Sequence, residues 1–175
     1  YAAFAAGSGI TPVLSIAKSV LEEEPNSTFV LVYGNKTEEE TIFHDELHAL
    51  QLKNLGRFFV HFVYSQANVA GELFGRIDKS VVNTVLKNKH ADKTFSKFYL
   101  CGPEEMIVLV NDVLTTFGVS KDKIHFELFT TPVLLVDNES SKNEAFSGMS
   151  QVSAMLDGEV VKIELSGTGK SILDA

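Results

Sequence analysis

One stretch near the amino end limits the folds open to this chain. Phe4-Ala5-Ala6 is a small apolar run that breaks at Gly7-Ser8-Gly9, and Ile10-Thr11-Pro12-Val13-Leu14 resumes it in an amphipathic pattern. Glycines serve where a backbone must turn sharply or approach something closely. Thr11-Pro12 reads as a helix start, with a hydroxyl at the cap and a proline at the first helical position, where its missing N–H is harmless. A strand therefore feeds a helix through a nearly bare turn. Such a turn aims backbone N–H groups and the positive end of the helix dipole at one point, which suits a phosphate before any side chain is counted.

The rest of the chain repeats that alternation. Val13, Leu14, Ile16, Ala17, Val20 and Leu21 recur at helical spacing until Pro25, and Thr28 to Tyr33 is a β-branched and aromatic run of the kind buried on both faces. A helix is expected from Glu38 to about Asn54 with Ile42, Phe43, Leu47 and Leu50 inward, then a strand from Arg57 to Tyr64. Ser65 to Phe74 reads as a loop, and Asp78 as the cap of a helix reaching Lys89. Lys97 to Cys101 is a strand that runs into Gly102-Pro103 and a helix carrying Met106, Ile107, Val110, Val113, Leu114 and Phe117, stopped by Gly118. Ile124 to Leu128 is a further strand. Strands and helices alternating at this spacing predict an α/β, doubly wound, five-stranded parallel sheet of order 3-2-1-4-5 with helices on both faces. In that order the first and fourth strands are neighbours where the winding reverses, so both glycine turns open into one crevice.

Beyond this domain, residues 1–130, the pattern changes. Residues 131–151 are rich in Ser, Asn and Glu and read as a linker, and Val152 to Leu165 alternates around Asp157-Gly158 as a β-hairpin. About 25 residues with one hairpin cannot bury a core, so residues 152–175 read as the opening of a second domain within a longer polypeptide.

With 15 Lys and Arg against 23 Asp and Glu, the net charge of −8 argues against a nucleic-acid or acidic-membrane partner. A single cysteine excludes a disulfide framework and a self-contained iron–sulfur cluster and fits a reducing, cytoplasmic setting.

Gly7-Ser8-Gly9-Ile10-Thr11-Pro12, Cys101-Gly102-Pro103-Glu104-Glu105-Met106 and His125-Phe126-Glu127-Leu128-Phe129 together resemble the nucleotide-binding half of the ferredoxin–NADP reductase family. The hairpin and the following Gly167 to Ala175 resemble the start of a plant-type [2Fe–2S] ferredoxin domain, an order found in oxygenase reductases of the phenylacetate-degradation type. The resemblance implies an oxidoreductase that passes electrons from NAD(P)H through FAD, held by a preceding barrel domain, and a [2Fe–2S] cluster to an oxygenase acceptor, with these residues alone inactive. Gly7, Ser8, Gly9, Ile10, Thr11 and Pro12 would cradle the pyrophosphate, and Cys101 and Glu127 would be the catalytic pair, beside the nicotinamide and at the flavin edge. Gly102, Pro103, Glu104, Met106 and Phe129 would complete that end, and Asn35, Lys36, Ser65, Gln66 and Arg76 the adenosine end. Read without the family, Cys101 and Met106 also suit a core and Glu127 a solvated strand end, and the whole also suits a non-catalytic dinucleotide-binding or regulatory module.

Cofactor choice rests on departures. No carboxylate follows the second strand until Glu38, and the Ser-Arg pair that NADPH-selective relatives present after the third strand is here Ser65-Gln66. The missing bidentate cation favours NADH, with Lys36 and Arg76 as the remaining candidates for a phosphate. Gly169-Lys170-Ser171 lacks the first glycine of a phosphate-binding loop, whose position holds Glu164. His44-Asp45-Glu46-Leu47-His48 mimics a zinc-protease signature with Asp45 at the general-base position and no third ligand, so it reads as a polar helix flank and no metal is assigned. The hairpin edge is open to pairing with a second chain, which would make a dimer.

Overall fold

A computed structural model of the chain describes residues 1–127, 148–156 and 159–166. It divides into two compact units, Tyr1–Val133 and Leu134–Ala175.

The first unit alternates strand and helix: β1 (Ala2–Ala6), a single 3-10 turn (Gly7–Gly9), α1 (Ile10–Glu23), β2 (Phe29–Asn35), α2 (His44–Lys53), β3 (Phe58–Tyr64), β4 (Leu73–Phe74), α3 (Lys79–Asn83), β5 (Phe98–Cys101), α4 (Glu104–Thr116) and β6 (Ile124–Glu127). All pairings are parallel and the order is β4-β3-β2-β1-β5-β6. The expected order therefore stands, with one strand more than expected. The loop read from Ser65 to Phe74 returns to the sheet, where Leu73 and Phe74 pair with Val63 and Tyr64, and the Gly75 N–H closes the edge on the Tyr64 carbonyl at 2.8 Å. A two-residue strand carries no periodic signal in sequence.

Successive residues of β1 face opposite sides of the sheet. Ala2 and Phe4 pack with Val81, Val82 and Val85 from the α3 region and Ile107, Val110 and Leu114 of α4. Ala3 and Ala5 pack with Ile10, Val13, Leu14 and Ala17 of α1 and Leu47 of α2. Both faces are covered, which is why the central strands are near-continuous apolar runs.

Three local expectations are corrected. Thr11 is not the cap of α1: it lies inside the first turn, and its hydroxyl donates back to the Ser8 carbonyl at 3.0 Å. The helix expected from Glu38 begins at His44, because Thr37–Thr41 closes a turn of its own through Thr41 Oγ1 to the Thr37 carbonyl (2.8 Å), and Phe43 takes a left-handed φ of 61°. Ile42 and Phe43 consequently point outward, 42% and 40% exposed, and only Leu47 of the proposed stripe is fully buried. Asp78 does cap α3, accepting from Val81 N–H at 2.8 Å, and the helix continues to Lys89 as a π-turn over Thr84–Lys89.

In the second unit β7 (Met149–Leu156) pairs antiparallel with β8 (Glu159–Ser166), so strand begins inside the stretch read as linker. Residues 128–147, with Leu128, Phe129 and the end of the expected first domain among them, Asp157-Gly158 and residues 167–175 lie outside the described residues.

Candidate functional site

Because every strand of the first unit runs the same way, the carboxyl ends of β1, β2, β3 and β5 reach one edge together. A cleft of about 870 Å³ opens there. Its walls are Ala6, Gly7 and Ser8 after β1; Gly34, Asn35 and Lys36 at the end of β2, with Glu40 beyond them; Ser65 after β3; Gly75, Arg76, Ile77 and Asp78 before α3; and Gly102, Pro103, Glu105, Met106 and Leu109 after β5.

The two glycine turns meet here through direct contact. A Cβ on Gly9 would fall on the Cys101 carbonyl oxygen and stand 3.0 Å from the Gly102 nitrogen. A Cβ on Gly102 would stand 2.9 Å from Met106 Cε and 3.2 Å from Ala6. The β1 and β5 turns thus approach to a distance that only glycine allows. Tyr33, fully buried in β2, braces the first turn by donating from its hydroxyl to the Gly7 carbonyl at 2.9 Å. Burial holds that phenol protonated, with its pKa pushed up to about 12.

The helix ends at the cleft differ in charge. Among the described residues no side chain caps α1, and its first turn holds no acidic residue, whereas α4 begins with Glu104 and Glu105. The uncompensated dipole is therefore at α1. At the β2 end the Asn35 side-chain nitrogen is buried and, among the described residues, lacks a hydrogen-bond partner. A buried donor left without a partner, on a residue that lines a cleft, is one that an acceptor entering the cleft could satisfy. Beside it the Ser65 N–H donates to the Asn35 carbonyl at 3.0 Å, and the Lys36 ammonium stands 3.7 Å from Glu40.

The structure distributes the expected site residues unevenly. Gly7, Ser8, Asn35, Lys36, Ser65, Arg76, Gly102, Pro103 and Met106 line the cleft. Gly9 and Ile10 are buried beneath it, Thr11 and Gln66 are exposed outside its lining, and Pro12 is half-buried. Glu104 lines an adjoining groove between α3 and α4 with Lys79 and Asp112, which shares Glu105 and Leu109 with the cleft. Cys101 is 2% exposed and packs with the α1 face, and its thiol is raised above its ordinary value by burial and then by Glu127, opposite it in the β5–β6 register. Glu127 itself is exposed. Sequence reasoning missed Ala6, Gly34, Glu40, Gly75, Ile77, Asp78, Glu105 and Leu109. Ile77 explains Gly34, since a Cβ there would meet Ile77 Cδ1 at 3.2 Å. Only the position of both beside strand ends could have flagged them.

A doubly wound sheet whose cleft opens at the reversal between β1 and β5 defines the class: an α/β domain of the dinucleotide-binding kind. Residues 4–112 match the oxidoreductase NAD-binding domain family, and the chain belongs to it, as the nucleotide-binding part of the ferredoxin–NADP reductase family. A component of the 1,2-phenylacetyl-CoA epoxidase of Escherichia coli (strain K12) is 34% identical over 176 residues, covering 100% of this chain and 49% of that protein. The ferredoxin reductase component of the 3-ketosteroid-9-alpha-monooxygenase of Rhodococcus rhodochrous is 31% identical, covering 91% of this chain and 44% of that one. A crystal structure of a ferredoxin NADP+ reductase from Neisseria gonorrhoeae, with bound FAD and NADP, superposes with a TM-score of 0.62 at 26% identity, over 73% of this chain and 55% of that one. The chain thus spans about half the length of the curated relatives it matches. Among the described residues no helix is long and apolar enough to cross a membrane.

Proposed function

We propose that this chain is the NAD(P)H-binding part of a flavin-dependent reductase that feeds electrons through FAD and a [2Fe–2S] cluster to an oxygenase, in a system of the phenylacetate-degradation type. The observation that carries this reading is the contact of the two glycine turns at one end of β1 and β5. The match along the whole chain to a phenylacetyl-CoA epoxidase component supports the oxygenase assignment. In this reading residues 1–130 bind the dinucleotide, 131–151 link, and 152–175 begin a ferredoxin-like domain.

The cleft fits a dinucleotide on two counts: an α1 N-terminus without a competing carboxylate, and an unpaired buried donor on Asn35. Gly7, Ser8 and Gly9, with Ile10, Thr11 and Pro12 behind them, hold the pyrophosphate. Asn35, Lys36, Ser65 and Arg76 take the adenosine end. Gly102, Pro103 and Met106 shape the nicotinamide end, with Cys101 and Glu127 on adjacent strands beneath. When bound, the nicotinamide supplies the hydride, and this chain supplies orientation and electrostatics. The small Cys101 side chain, buried and uncharged, adds no charge of its own at the strand end.

Lys36 and Arg76 are the cations lining the cleft, and Lys36 is shared with Glu40. Without a cation at Gln66 the site favours NADH. Titrating the 175-residue chain with NADH and NADPH and following backbone amide shifts tests the proposal. Shifts at Gly7 to Thr11 and at Gly102, larger at equal concentration for NADH, are expected. Silence at both turns with both dinucleotides refutes it.

A further inference from the structure

Two pairs of histidines in this chain bring Nε2 atoms together, and their surroundings differ. His61 and His90 meet at 2.8 Å, with His90 buried, and the neighbouring charges are Lys89, Lys93 and Asp92, the last paired with Lys93 at 3.3 Å. That is a neutral hydrogen-bonded pair beside a net positive charge. His44 and His48, one turn apart on α2, meet at 3.2 Å in the opposite setting. The Glu38 carboxylate stands 3.9 Å from His44 Nε2, and Asp45 Oδ1 stands 3.4 Å from His44 Nδ1.

Three features of the second pair suit a metal. Two nitrogens bound to one tetrahedral ion at about 2.0–2.1 Å lie about 3.3 Å apart, close to the spacing already present. Both rings rest on Phe62, with centroids 5.1 Å and 5.3 Å from it, so their orientation is fixed before any ion arrives. The Asp45 carboxylate beside Nδ1 favours the tautomer that leaves the His44 Nε2 lone pair free, as a carboxylate does behind a metal-bound imidazole. His48 is exposed and His44 half-buried, so the pair is open to solvent. The spacing dismissed as a failed protease signature is thus a chelate in its own right, with no general base needed.

We propose that His44 and His48 form an open, two-imidazole site for a divalent transition metal of the zinc class at the edge of α2, beside Phe62. Among the described residues no three such side chains are grouped to enclose an ion, so water completes the coordination. Imidazole ligation selects Zn2+, Ni2+ or Cu2+ over Mg2+ and Ca2+. The site is separate from the cleft lining, which includes neither histidine.

Zinc chloride titrated into the full chain against a chromogenic chelator tests this. One zinc per chain is expected, with micromolar affinity, weakened at least tenfold in His44→Gln and in His48→Gln and unchanged in His61→Gln. His48 is exposed and His44 half-buried against Phe62, and circular dichroism confirms that both variants fold. An independent reading uses the unaltered chain: paramagnetic Ni2+ should broaden the His44 and His48 ring resonances before those of His61, His90 and His125. The proposal is overturned by absent zinc binding, by histidine variants that bind like the parent chain, or by broadening that begins at His61 and His90.

Discussion

The His61–His90 pair makes stability depend on mild acid. His61 lies on β3, and its pKa is pushed down to about 4 from 6.5, first by burial and then by the charges of Lys89 and His90. His90 is lowered as well, again chiefly by burial. The folded chain thus holds His61 neutral where the unfolded chain protonates it. A depressed histidine contributes stability that is complete above about pH 6.5 and is lost as pH falls from there toward about 4. The full difference of about 2.5 units corresponds to about 3 kcal/mol, and about 2 kcal/mol of it is gone by about pH 5. Urea unfolding of the chain and of His61→Gln at about pH 7.5 and about pH 5 measures this. The parent chain should lose about 2 kcal/mol more than the variant between the two pH values. Glu24 and Asp92, whose carboxyls are held low by hydrogen bonds, are common to both proteins and cancel in the comparison. Equal losses in the two proteins would refute the reasoning.

Three further substitutions, with one control, probe the frame around the cleft. Gly9→Ala forces a methyl onto the Cys101 carbonyl and should destabilise the chain by about 3 kcal/mol in urea unfolding, whereas Ser8→Ala, at an exposed neighbour, should change little. Tyr33→Phe removes the hydroxyl bond to the Gly7 carbonyl and should lower stability by about 1 kcal/mol in the same assay, with weaker dinucleotide-induced shifts at Gly7. Arg57 donates to the carbonyls of Leu21 (3.2 Å), Glu24 (2.7 Å) and Ser27 (3.1 Å), closing the end of α1, so Arg57→Ala should lower the urea midpoint by the equivalent of about 2 kcal/mol.

The parts of this fold that were legible in sequence are those written in period and punctuation. β1, β2 and β5 are short apolar runs that end in or run into glycine or asparagine; the alternation of elements gave the parallel, doubly wound class, and the order usual for that class put β1 between β2 and β5. What failed depended on contacts between distant residues. Glu38-Glu39-Glu40 looks like an acidic first turn of a helix, yet Thr37 captures the chain locally and Phe43 breaks it. Arg57 read as the first residue of a strand, although its guanidinium serves a helix end more than thirty positions earlier. For the site, the turns were visible because glycine is a local signal. Asp78 reads only as a helix cap, and Ile77 carries no reading, because nothing local says that they face a cleft.

The charge pattern across that cleft gives the candidate site a direction. An anion gains from the positive end of a helix dipole by about 0.3–1 kcal/mol, and a carboxylate already in the first turn takes up that advantage itself. At α1 the first turn is free of carboxylates, and its backbone is pinned by Tyr33 from below and Thr11 from within. At α4, Glu104 and Glu105 occupy the first turn, and Glu105 lines the cleft. A phosphate is therefore favoured beside Gly7 and opposed beside Pro103, only one strand away. Cys101, neutral and buried at the end of β5, adds nothing to reverse that bias. A ligand with one anionic and one uncharged end then has a single low-energy orientation across the β1–β5 boundary, fixed by which helix start carries the glutamates.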